Sequence, residues 1–234
     1  MKKLFAGIGI SAMMIFVSCR DTPDKQDQDN DTSSEDSVEI EKSDTALSNE
    51  TISFFDQSGL SKFTKTKSPG FDWSKFKMTN TWQDDSLLIT DFRPSINFYD
   101  SYKTLLKYSP DSSMFIDLDS YNLDVHRESD GKIIAIEAGP DTEVSLVDVK
   151  SKKKTRLVFL GPGNSIEEGS WIDKDNLVLM GFQDNEGSGN QIPVVWRYHV
   201  PTKTFYIYEL PDPKAAKQLM GQWRRERLKG VMLK

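Results

Sequence analysis

Val194-Val-Trp-Arg-Tyr-His-Val-Pro-Thr-Lys-Thr-Phe-Tyr-Ile-Tyr-Glu-Leu210 decides the fold. Two runs of β-branched and aromatic residues flank Pro201-Thr202-Lys203-Thr204, the composition of an antiparallel hairpin. With that turn, Val200 stands opposite Phe205, Tyr198 opposite Ile207 and Arg197 opposite Tyr208. Side chains alternate along a strand. Trp196, Tyr198, Val200, Phe205 and Ile207 therefore share one face, expected in the core. Arg197, His199, Tyr206 and Tyr208 share the other. Two aromatics beside two basic groups suit stacking on a sugar or gripping a partner residue, so this strip is the candidate binding face. Tyrosines also fill strands covered on both faces, so exposure decides between binding and packing.

The same pattern extends upstream. Short runs rich in Val, Ile, Leu and aromatics predict strands at 77–81, 86–92, 113–118, 132–138, 143–149, 156–160 and 176–182, besides 194–200 and 204–210. Turn residues separate them, as in Ser109-Pro110-Asp111-Ser112, Ser129-Asp130-Gly131, Gly161-Pro162-Gly163-Asn164 and Asp173-Lys174-Asp175-Asn176. Residues 51–75 show no clear period. The expected fold is mainly β and antiparallel, as partial propeller-like blades or a β-sandwich, with a C-terminal helix. About 160 residues, 51–210, are enough for one domain with its own core.

An internal repeat supports this reading. Tyr108-Ser-Pro-Asp-Ser-Ser-Met-Phe-Ile116 lies over Trp171-Ile-Asp-Lys-Asp-Asn-Leu-Val-Leu179 at an offset of 63. Similar hairpins follow each copy, at 149–157 and 200–207. The Ser-Pro-Asp unit followed by strands resembles the blade motif of TolB-like and WD-type β-propellers over residues 108–210. That resemblance implies about two blades, fewer than the four a closed propeller needs.

After the strands, Asp212 suits an N-cap and Pro213 the first helical position. Residues 211–234 form the predicted basic C-terminal helix. Ala216, Leu219, Met220 and Trp223 make its apolar stripe. Lys214, Lys217, Arg224, Arg225, Arg227 and Lys229 give it charge, for a membrane surface, a partner or simply water.

The N-terminus is an address. Met1-Lys2-Lys3 precedes an apolar run of 14 residues, Leu4 to Val17, and then Ser18-Cys19. The run is shorter than the roughly 20 residues of a spanning helix, and the layout is that of an export signal. With its closing cysteine it resembles a bacterial lipoprotein signal of the looser Bacteroidota type, although Phe16 stands where Leu is usual. The resemblance implies cleavage after residue 18, lipidation of Cys19 and permanent attachment to a membrane by two or three acyl chains. Arg20 rather than Asp after the cysteine favours the outer membrane, on its periplasmic or cell-surface side. Cys19 is the only cysteine, so the body contains no disulfide.

Residues 19–50 read as an acidic, disordered tether. From Arg20 to Glu50 there are eleven acidic residues and three basic ones, with few apolar residues. A coil of about 30 residues spans roughly 30 Å. The chain carries −6 overall and the signal +2, so residues 51–234 are neutral. A neutral body lacks the basic footprint of a nucleic-acid binder, and no nucleic-acid partner is expected.

Chemistry is sparse. Two histidines, His126 and His199, are too few for an ordinary zinc site. No nucleophile elbow, phosphate loop or dinucleotide fingerprint is present, and no cofactor is expected. Asp184, Glu186 and Ser188 alternate like the start of an EF-hand loop, with Gly189 at the sixth position, but Val195 stands where the bidentate Glu belongs. Asp117, Asp119 and Glu128 fit positions one, three and twelve of a second loop, with Tyr121 and Asn122 misplaced. Asp84-Asp85 and Glu167-Glu168 are paired carboxylates. Neighbours on a strand point to opposite faces and those in turns are solvated, so none is assigned a catalytic role.

The sequence thus points to a lipid-anchored envelope protein, more a binding or scaffold module for a protein or glycan than an enzyme. The alternatives are a hydrolase acting on envelope material and a structural subunit that completes its sheet with a partner.

Overall fold

The computed structural model describes residues 45–185 and 187–233. Cys19, the signal, most of the tether and Glu186 lie outside these residues. The body begins before residue 51, where composition alone drew the boundary. Leu47 is buried, Ala46 bridges Lys77, and Ser48 caps helix α1 (Asn49–Gln57) by accepting from the Thr51 amide.

The deciding hairpin pairs β11 (Gln191–His199) with β12 (Thr204–Glu209). Tyr198 stands opposite Phe205, Trp196 opposite Ile207 and Arg197 opposite Tyr206. This register differs by two residues from the expected one. The loop is 200–203, closed by Lys203 in the left-handed conformation (φ 52°). A shift of two leaves every side chain on its expected face.

Two five-stranded antiparallel sheets form the body. The first runs β1 (Lys77–Gln83), β12, β11, β10 (Asn176–Asp184), β9 (Ser165–Trp171). The second runs β2 (Ile89–Asp91), β8 (Lys153–Leu160), β7 (Thr142–Asp148), β4 (Met114–Asp117), β3 (Lys107–Tyr108). A smaller sheet holds β5 (Leu123–Arg127), β6 (Ile133–Glu137) and β13 (Met232–Leu233), the last parallel to β6. The two large sheets are built alike. Each is a four-stranded meander with a strand from earlier in the chain on its outer edge. In each, the turn lysine before the last strand has positive φ, at Lys152 and Lys203. Its carbonyl accepts an amide from the outer strand's end, Phe92 N at 2.8 Å and Asp84 N at 3.0 Å.

The sheets pack face to face as a β-sandwich. Ile116, Val144, Leu146 and Leu157 of the second meet Leu177, Leu179, Val194, Trp196, Tyr198, Phe205 and Ile207 of the first. The first sheet's other face carries Val178, Met180, Phe182, Val195 and Tyr208. They pack under α1, α2 (Leu60–Lys67) and α4 (Pro213–Leu219). The second sheet's other face, through Phe115 and Val147, packs on α3 (Phe98–Tyr102) and the smaller sheet. Central strands covered on both sides explain the nearly continuous apolar run of β10 and β11. One bulge is sterically required. The β9–β10 register shifts at Met180/Gly181, and a Cβ at Gly181 would lie 2.0 Å from the Ser165 carbonyl oxygen.

The C-terminal helix is broken. Asp212 caps α4 by accepting from the Lys214 and Ala215 amides. Gly221, at φ 72°, then turns the chain into a second short helix, α5 (Gln222–Arg227). Among the described residues no helix is long and apolar enough to cross a membrane.

Candidate functional site

The residues singled out from sequence do not form one exposed site. On β11 and β12, Arg197, His199, Tyr206 and Tyr208 face the helical layer. Tyr208 is buried at 2% exposure among that layer's apolar residues, which removes it from any binding face. Arg197, His199 and Tyr206 are half-buried. The Arg197 guanidinium lies 5.7 Å from the Tyr206 ring centroid and donates to Asn176 Oδ1 at 3.2 Å. His199 Nδ1 is 2.7 Å from Thr202 Oγ1. These contacts join neighbouring strands or close the turn, on the face whose apolar residues pack under α1, α2 and α4.

Of the calcium candidates, Glu186 lies outside the described residues. The Asp184 amide donates to Asn164 Oδ1 at 2.7 Å, while Ser188 donates its amide to the Asn185 carbonyl within its own loop. Among the described residues no three His, Cys, Asp or Glu side chains gather as metal ligands. Asp117 is buried, and its carboxylate accepts the Asp119 and Ser120 amides and the Ser120 hydroxyl. Burial pushes its pKa above the usual carboxylate value despite those hydrogen bonds.

Glu167 and Glu168 are neighbours on β9 rather than turn residues, and they are 0% and 3% exposed. Glu167 holds the start of α5, accepting the Gly221 amide at 2.7 Å and the Arg224 amide at 2.8 Å, with Ser165 Oγ donating at 2.8 Å. Glu168 accepts Trp223 Nε1 at 2.8 Å. Arg227 grips Asp119 through two hydrogen bonds, at 2.7 and 2.9 Å. Burial works against the guanidinium's charge, but Asp119, Glu168 and Glu167 outweigh it and raise its pKa. Every one of these carboxylates is engaged in fixing α5 against the edge strand β9. Arg224 and Arg227 are thus engaged within the fold, while Arg225 is exposed.

A concave site lies at the opposite, outer edge, where the connection from β1 to β2 bridges the two sheets. Asp84 accepts the Ser86 amide at 2.8 Å and its hydroxyl at 2.7 Å. That tight turn leaves Leu87 packed against the sandwich core and Leu88 51% exposed. Below it opens a cleft of ≈ 260 Å³ with an apolar wall of Leu87, Ile89, Met114, Leu146 and Val200. Tyr198 lines it from the first sheet. Lys153 and Lys203 stand at its mouth, one from each sheet, beside Asp85 and Asp148. Of the lining residues Ile89 is an exposed hydrophobic, and exposed Leu88 precedes it in the chain. Burial, with Asp84 adding to it, pushes the Tyr198 phenol up to about 12. It is therefore a proton donor at neutral pH.

Compared with protein-family models, curated proteins and solved structures, this chain matches none.

Proposed function

We propose that this protein is a lipid-anchored binding module of the bacterial outer membrane, held there through Cys19, and that the cleft between its two sheets receives a partner. The observation that carries the reading is the cleft: a cavity with an apolar wall that includes exposed Ile89, next in the chain to exposed Leu88. Isolated exposed apolar residues are ordinary, but a cluster around a cavity marks an interaction site. The apolar wall favours a protein over a glycan, because sugar hydroxyls would lack partners against Leu87, Met114 and Leu146. The carboxylates buried elsewhere support binding over hydrolysis, since each is engaged with amides or arginines of the fold.

The test places a photo-crosslinking residue at Ile89 in intact cells. A discrete crosslinked protein is expected, and Leu88→Glu should abolish it while Lys62→Glu on α2 leaves it intact. Crosslinking that ignored Leu88→Glu would refute the site. The address is tested separately. Labelled fatty acid should enter the wild-type chain, and Cys19→Ala should release or misprocess it.

A further inference from the structure

The charged groups lining the cleft are two acids, Asp85 and Asp148, and two lysines, Lys153 and Lys203. Tyr198 also lines it, and its protonated phenol can donate to an acceptor placed there. Lys153 and Lys203 are donors as well. Their ion pairs with Asp91 (2.8 Å) and Asp85 (3.4 Å) lie largely in water, with the acids 50% and 75% exposed. Such pairs contribute little and exchange readily for a better-enclosed anion. The remaining acid in the lining, Asp148, already accepts the Ser151 amide at 2.6 Å within its own turn. With Asp85 largely in water and Asp148 engaged by its own turn, the two lysines are the charged groups best placed to meet an apolar body bearing a carboxylate.

The size narrows the ligand. A volume of ≈ 260 Å³ falls just below the ~300 Å³ lower end of small-molecule sites. A cavity at that lower end suits a compact group, such as one large side chain with a terminal carboxyl group, rather than a large ligand. Capture of a chain terminus is a recognised mode of peptide binding.

Resting on the reading of the cleft as the binding site, we infer that its occupant is the carboxy-terminal apolar residue of a partner polypeptide. The side chain lies against Leu87, Met114 and Leu146, and the carboxylate is held by Lys153 and Lys203.

The experiment is calorimetric titration of the full chain in phospholipid nanodiscs. Three probes are used: acetyl-Gly-Gly-Leu with a free carboxylate, the same peptide as its C-terminal amide, and 4-methylpentanoate as a free acid. The free-carboxylate peptide should bind about tenfold or more tightly than the amide, the usual worth of a charge-assisted hydrogen bond. Lys153→Met with Lys203→Met should erase that difference while the unfolding midpoint stays near wild type. Tyr198→Phe should weaken the free-carboxylate peptide several-fold. Equal binding of peptide and amide would overturn the carboxylate inference and leave the cleft reading standing. Equal binding of 4-methylpentanoate and the peptide would overturn the chain terminus as occupant. Binding of none of the three would overturn both the inference and the cleft reading.

Discussion

Replacing Arg227 by Ala should cost this protein about 3 kcal/mol of folding stability. The Arg227 side chain is 7% exposed and Asp119 1% exposed, and two hydrogen bonds join them. Removing one member of a buried pair typically costs about 3–5 kcal/mol, because the other charge is left desolvated. The lower end applies here, since Arg224 Nε remains 3.8 Å from Asp119. Set against a total stability of about 5–15 kcal/mol, the loss is large. Arg227→Lys should recover only part of it, because one ammonium cannot reproduce the two-pronged contact. Arg227→Met combined with Asp119→Leu should be milder than Arg227→Ala, since Asp119 is no longer left as a buried charge without its main partner. Urea unfolding of the three variants measures these differences. A loss under 1 kcal/mol for Arg227→Ala, or a double variant as unstable as the single, would refute this account of α5.

Gly181→Ala should destabilise by about 3 kcal/mol or more, as overpacking against backbone does, because the new Cβ meets the Ser165 carbonyl oxygen; an unchanged urea midpoint would show that the bulge relaxes freely. Asp117→Asn should stabilise the protein increasingly as pH rises from 4 to 7. The folded carboxyl has a raised pKa, so the wild type loses stability as pH climbs from the unfolded value through the folded one, whereas Asn has no charge to lose. Both backbone amides bond to Oδ1 and the Ser120 hydroxyl to Oδ2, so Asn fits with its amide group toward Ser120. A pH-independent difference between the two proteins would contradict this.

The strands that were legible in sequence are those buried on alternate or both faces. β10, β11 and β12 announce themselves because their side chains serve two cores at once. β5 was not read as a strand, although Leu123 and Val125 are buried on either side of exposed Asp124. Its polar half hides the alternation, while its partner β6 is read as a strand at 132–138. Helices α1 and α2 were missed because their buried residues are few, Phe55 and Leu60 among Ser, Thr and Lys. The candidate face on β11 and β12 was sorted correctly by parity, but parity does not say what lies above a sheet. The burial of Glu167 and Glu168 was not legible because their partners, Arg224 and Trp223, lie more than 50 positions away in the chain.

The distribution of charge separates the two edges of the sandwich. At the inner edge, Trp171 Nε1 reaches the Lys107 carbonyl at 2.8 Å, joining β9 to β3. Helix α5 covers β9 there with buried, fully partnered charges, which protects an edge from pairing with other chains. At the outer edge, β1 and β2 end their sheets with mostly exposed side chains, and the charges there form ion pairs open to water. Buried pairs are costly to break and surface pairs are not. A partner can therefore rearrange Lys153 and Lys203 at little expense, whereas the same displacement at Arg227 would unseat the fold. Because both sheets carry their fifth strand on the outer side, the cleft opens where the chain is least committed to itself.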